Sequence, residues 1–185
     1  AAGFGTPVAV AAAMLTGLGF SPFFAAGICM LANTAPVAFG SIGIPVVTLA
    51  GTTGLPEAEL SAWVGRICAP VSLFIPAYLI LVMGGFRALK GVIPAAIVCG
   101  ASFASVQFLV SNFVGPQLVD IMAALTAIVA SIALLKVWQP KDQFVMAGEH
   151  QAVLQIKHHG FGPTLHAWSP YLLLVVFVLI WGNPT

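Results

Sequence analysis

The chain has 185 residues, of which 60% are hydrophobic and only 6% are charged, and its mean hydropathy is +1.07. Soluble domains contain about 25% charged residues, so this composition excludes an ordinary soluble domain and predicts the lipid bilayer as the main partner. The formal net charge of +1 gives no indication of a nucleic-acid partner.

The first third of the chain, residues 1–56, contains no charged residue and is interrupted repeatedly by glycine and proline. Ser or Thr followed by Pro is a favoured way to begin a helix. Such starts occur at Thr6-Pro7, at Ser21-Pro22, at Thr34 ahead of Pro36, and at Pro45. The segments 7–18, 22–32 and 45–50 are too short to cross a bilayer alone. Short, interrupted apolar segments are typical of re-entrant hairpins and broken helices in secondary transporters.

The most irregular stretch is LANTAPVAFGSIGIP at 31–45. Irregular backbone survives in a membrane only where it is buried in protein or lines a cavity. Helix N-termini bind anions without any cationic side chain, so the breaks predict a site for a small, hydroxylated anion. The predicted site consists of close-approach glycines and polar side chains: Gly3, Gly5, Gly40 and Gly43 with Thr6, Asn33, Thr34 and Ser41. The alternative is that glycine and proline here only permit tight helix packing.

Residues 57–138 are predicted to contain three transmembrane spans, because apolar runs of sufficient length recur there. The runs cover residues 59–86, 92–110 and 117–136. Glu57 and Glu59 mark the interfacial start of the first. The sequence SNFVGP at 111–116 is either a plain turn or a further break that faces substrate. A fourth span is predicted at 168–181, within the final segment 167–185.

The segment 139–166 is the polar part of the chain and contains all four histidines. Without a supporting cysteine or carboxylate pattern, these histidines predict a solvated loop and not a metal site. Alternating spans place Arg87 and Lys90 on the same side of the membrane as Lys136 and this loop. Because positively charged loops remain in the cytoplasm, residues 139–166 are expected to be cytoplasmic.

Two charged residues lie in or near the predicted spans. Arg66 is either a partner for a carboxylate, on the substrate or elsewhere in the protein, or an arginine that extends to the membrane interface. Asp120 is either a structural carboxylate at a helix N-terminus or a proton carrier. The three cysteines show no metal-binding spacing and are expected to be free thiols.

Four motifs resemble those of the bacterial lactate permease family: GFGTPVAVAAAMLTGLGF, NTAPVAFGSIGIP, SNFVGPQLVD and KVWQP. The resemblance implies an all-α, multi-span inner-membrane carrier that moves lactate, and often glycolate, together with protons. Family proteins are much longer, so the chain is expected to be an internal portion of one. Carriage of another small organic anion and an anion channel remain as alternatives. A membrane enzyme would need a nucleophile with its base, an HExxH-like metal pair or clustered carboxylates, and the sequence has none of these, so the chain is not expected to be an enzyme. No cofactor is expected, and the sequence does not specify an oligomeric state.

Overall fold

The computed structural model describes residues 6–34 and 37–139, together with Ser169. These residues form α-helices and one 3₁₀ turn, without a strand among them, and this confirms the predicted all-α class. The helices are α1 (Thr6–Gly17), α2 (Pro22–Ala32), the 3₁₀ turn Val37–Phe39, α3 (Gly40–Thr53), α4 (Glu57–Phe113) and α5 (Val119–Val137). The predicted span at 168–181 and the loop at 139–166 lie outside the described residues, apart from Gln139 and Ser169.

Two of the predicted helix starts in the first third, at Thr6-Pro7 and at Ser21-Pro22, agree with the structure, whereas α3 begins at Gly40 and contains Pro45. Ser21 has the extended backbone of an N-cap residue, and α2 begins with Pro22 as its first residue. The predicted segments 7–18 and 22–32 agree with α1 and α2 to within one residue. The start of α2 agrees with the preference for proline at the first helical position.

Helix α2 and the segment Val37–Thr53 form one bent unit. Their axes differ by 71°, and together they have the length and hydropathy of a single membrane span. This arrangement is that of a broken span or a re-entrant loop, as the glycine and proline pattern predicts. Helices α4 and α5 also have the length and hydropathy to cross a membrane.

Helix α4 is a hairpin of two arms. A straight helix of 57 residues would be about 85 Å long, far more than the hydrocarbon core of about 30 Å. The backbone leaves the helical conformation at Gly85 (φ 68°, ψ −170°) and at Val92 (φ −130°, ψ 17°). Gly85 adopts a conformation that is essentially restricted to glycine. We call residues 57–84 the first arm and residues 93–113 the second arm; they correspond to the predicted spans 59–86 and 92–110.

The two arms pack antiparallel through small residues. The Ser61 hydroxyl donates to the Ser111 carbonyl at 2.8 Å, which pairs the start of one arm with the end of the other. A Cβ at Gly65 would overlap the Ser111 side chain, and one at Gly100 would overlap the Leu73 carbonyl. Such small residues allow transmembrane helices to approach closely, where dispersion contacts hold them together.

The ends of the helices separate the charges. Arg87 and Lys90 lie in the turn between the arms, whereas Glu57 accepts a hydrogen bond from Gln117 at the opposite end. Val110, near the end of the second arm, packs with Val119, the first residue of α5. Because the chain turns back between them, α5 runs antiparallel to the second arm. Lys136, in the last turn of α5, therefore lies at the same end as the turn. The fold agrees with the predicted charge asymmetry. That the end with Arg87, Lys90 and Lys136 faces the cytoplasm stays a prediction.

Candidate functional site

The candidate site is centred on a break inside α3. Three consecutive residues have left-handed backbone: Ser41 (φ 50°), Ile42 (φ 64°) and Gly43 (φ 76°). This conformation costs a residue other than glycine about 1–2 kcal/mol, and it is rare for a β-branched residue such as Ile42. The right-handed helix resumes at Ile44, one residue before Pro45. The predicted break is confirmed, and backbone strain of this kind is common at functional sites.

The break is held by contact with the connection between α4 and α5. Gly43 is buried against Pro116, so a Cβ at position 43 would lie 2.8 Å from the backbone carbon and oxygen of Pro116. Phe39 and Val46, on either side of the break, are 0% and 2% exposed and form one apolar cluster with Val110 and Val119. The connection at 114–118 is therefore a turn, and it is also the surface on which the break rests.

Three polar side chains lie next to the break, at Asn33, Thr34 and Ser41. Asn33 ends α2, and its backbone N–H donates to the Cys29 carbonyl at 3.1 Å, while the Thr34 N–H donates to Leu31 at 3.2 Å. Asn33 and Thr34 thus form the turn that follows α2, and the 3₁₀ turn begins at Val37. Within the described ranges the side chains of Asn33, Thr34 and Ser41 make no hydrogen bond. Their amide and hydroxyl groups remain available to a ligand.

The remaining residues of the predicted anion site are only partly described. Gly40 begins α3 and is half-buried. Thr6 begins α1, but Gly3 and Gly5 lie outside the described residues, as does the side chain of Thr6. That the tip around Gly3–Pro7 faces the break therefore stays a prediction.

Arg66 is oriented by the second arm and does not join the break. Its Nε donates to the Asn112 side-chain oxygen at 2.9 Å, and its guanidinium lies 5.1 Å from the centre of the Trp63 ring. The first arm packs on the apolar cluster through Leu60 and Val64. A residue two positions beyond Val64 is rotated by about 200° around the helix, so Arg66 is on the other side of the arm, where it is exposed.

Asp120 lies in the first turn of α5, as predicted. Its Oδ1 is buried and has no hydrogen-bond partner in the described part of the chain. The carboxylate is close enough to the Cys68 thiol of the first arm for an electrostatic interaction. Asp120 therefore lies near the packing of α4 on α5, and an ionisable group inside a membrane bundle is a functional candidate.

Sequence reasoning missed Gln107 of the second arm. This side chain is 0% exposed, and neither its Nε2 nor its Oε1 has a hydrogen-bond partner among the residues that the structure describes. It lies on the face that carries Gly100, Ala104 and Ser111, all of them buried. The signal that would have found it is a lone amide in the small-residue stripe of an otherwise apolar span. Among the described residues there is no group of three metal-ligating side chains, and Cys29, Cys68 and Cys99 are free thiols.

Comparison with known proteins identifies the family. The model of the L-lactate permease family matches residues 1–185. The chain belongs to the L-lactate permease family. No solved structure matches the chain.

The relatives of this chain are named as permeases of two substrates. The chain is 49% identical, over 100% of its own length, to the L-lactate permease of Bacillus subtilis. It is 42% identical over 98% of its length to the glycolate permease GlcA of Escherichia coli, and 42% identical over 100% to the L-lactate permease of that organism. The chain spans 34% of each of these relatives. Permeases are transporters and not enzymes, so the absence of an enzyme motif in the sequence agrees with the family.

Proposed function

We propose that the carrier to which this chain contributes moves lactate, and related small 2-hydroxymonocarboxylates such as glycolate, across the bacterial plasma membrane. The single observation that carries the proposal is the strained break at Ser41–Gly43, inside a bent span and beside unpaired polar side chains. The relatives named as lactate and glycolate permeases support the same substrate class.

The break supplies what a small hydroxy acid requires. The carboxylate needs hydrogen-bond donors, and the 2-hydroxyl needs a donor or an acceptor. Asn33, Thr34 and Ser41 offer an amide and two hydroxyl groups that have no hydrogen-bond partner in the described part of the chain. Gly40 is half-buried and leaves the backbone open to close approach, whereas Gly43 holds the break against Pro116. Gly3, Gly5 and Thr6 are proposed to complete the site. Since residues 1–56 contain no charge, binding depends on neutral donors and helix dipoles.

Protons are the proposed coupling ion, with Asp120 as their carrier. Support comes from the buried Oδ1 of Asp120, which lacks a partner in the described residues. For Arg66 the contacts with Trp63 and Asn112 favour anchoring near the membrane interface over contact with the substrate.

Uptake by the full-length carrier in proteoliposomes tests the proposal. We expect saturable uptake of labelled lactate that unlabelled glycolate inhibits and that an inward proton gradient drives. Unsaturable flux would favour an anion channel, and failure of both hydroxy acids would favour a carrier of another organic anion.

The Asp120→Asn variant tests the coupling. It should lose gradient-driven accumulation and retain lactate exchange, because only the proton-carrying group is removed. Glu59→Gln, at the exposed start of α4, is the control and should retain both. Accumulation by Asp120→Asn at the parent's level would show that another group carries the proton.

A further inference from the structure

Gln107 is the polar side chain of the hairpin that the fold leaves most completely unsatisfied. It is 0% exposed, and both its donor nitrogen and its acceptor oxygen lack hydrogen-bond partners within the described residues. The Ser72 hydroxyl of the first arm is also buried without a partner in the described residues, whereas Ser61 and Ser111 are hydrogen-bonded. Ser61 donates to the Ser111 carbonyl, and the Ser111 hydroxyl donates to the Phe108 carbonyl. A membrane interior offers no bulk water to replace such bonds, so an unpaired amide there is costly unless a ligand satisfies it.

The position of Gln107 connects it with the candidate site. Its neighbour Val106 and the residue one turn later, Val110, pack in the apolar cluster with Phe39 and Val46, which flank the break. Gln107 is therefore adjacent to the side of the second arm on which the broken helix rests. A movement of the broken helix would therefore change the packing next to Gln107.

The complete burial of Gln107 limits what can satisfy it. In the described packing no surface of the Gln107 side chain is accessible, so a partner can reach the amide only after the packing changes. A partner must therefore be small, and it must enter when the arms or the broken helix move. Alternating access in carriers provides such conformations, in which one packed unit moves against another around the binding site.

The chemistry of the amide selects the ligand class. A primary amide presents a donor and an acceptor side by side. A 2-hydroxycarboxylate presents the complementary pair on adjacent carbons, with a hydroxyl that donates and carboxylate oxygens that accept. We propose that Gln107 contacts the substrate and recognises its 2-hydroxyl, and thereby makes the carrier prefer 2-hydroxy acids to simple carboxylates. This inference rests on the proposed function.

The experiment compares the inhibition of labelled lactate uptake by glycolate and by propionate, which has no hydroxyl, in the full-length carrier. Gln107→Met keeps the length of the side chain and removes its polar atoms. We expect the preference for glycolate over propionate to fall about tenfold, the loss typical of one hydrogen bond to a ligand. The matched control is Ser72→Ala, which removes the other buried, unpartnered side-chain group of the arms. It should keep the parent's preference.

A second measurement serves if Gln107→Met does not insert. Gln107→Cys in a cysteine-free carrier places a small thiol in the same stripe of small residues. A membrane-permeant thiol reagent should modify it slowly, and glycolate should protect it more strongly than propionate does.

The outcomes separate two failures. If the parent carrier shows no saturable lactate uptake, the proposed function fails. If the parent transports lactate but Gln107→Met retains its preference for hydroxy acids, or Gln107→Cys is modified without protection by glycolate, the amide only packs or holds a water. The inference is then wrong while the proposed function stands.

Discussion

Replacing Gly43 by alanine should detach the break from the surface that holds it. The position has φ +76°, which costs an alanine about 1–2 kcal/mol. The added Cβ would also lie 2.8 Å from the Pro116 backbone, closer than real Cβ contacts, and relief of such overpacking costs typically about 1–3 kcal/mol. The combined cost of about 2–5 kcal/mol is a large part of the stability of a typical domain, which is about 5–15 kcal/mol.

The assay is lactate uptake together with the thermal midpoint of the purified full-length carrier. We expect Gly43→Ala to insert, to lose at least about tenfold in uptake, and to unfold at a lower temperature. Gly51→Ala is the matched control, because Gly51 lies in the same helix and its Cβ would meet nothing within 4 Å. That variant should be neutral or slightly more stable. If Gly43→Ala and Gly51→Ala are equally active and equally stable, the contact between Gly43 and Pro116 does not hold the break in the working carrier.

Three further predictions concern the break, the hairpin and the orientation. Asn33→Ala and Thr34→Val should each weaken the apparent affinity for lactate about tenfold, since a hydrogen bond to a charged group contributes about 1.5–3 kcal/mol; variants that insert normally and keep the parent's affinity would show that the break serves packing. Gly65→Val should lower the thermal midpoint more than Gly91→Val, because a Cβ at 65 overlaps Ser111 whereas one at 91 meets nothing; equal midpoints would contradict the close packing of the arms. Lys141→Cys in a cysteine-free carrier should react with an impermeant thiol reagent only from the cytoplasmic side, as loop charge predicts. Reaction in intact cells would show that the loop lies outside the cell and that the predicted orientation is wrong.

The features that sequence predicts well are those that local chemistry determines. Ser21-Pro22 begins α2 because the cap residue and the fixed φ of proline act within a few residues. The all-α membrane class follows from apolar runs that need no tertiary contact to be recognised. The break near Gly43 and Pro45 is also visible locally, since glycine permits left-handed backbone and proline removes a hydrogen bond from the helix.

Other features depend on residues far apart in the chain, and no local pattern contains them. Gly43 is fixed by Pro116, Arg66 is oriented by Asn112, and Gln107 becomes fully buried when the helices pack. A glutamine on a face exposed to water would need no partner from the protein, because water would hydrogen-bond its amide. Composition and capping signals thus determined which segments are helical and where the span breaks, because those choices are made within one or two helical turns. Only the tertiary structure decided which polar groups are left without partners inside the bundle, because burial is a property of how the helices pack.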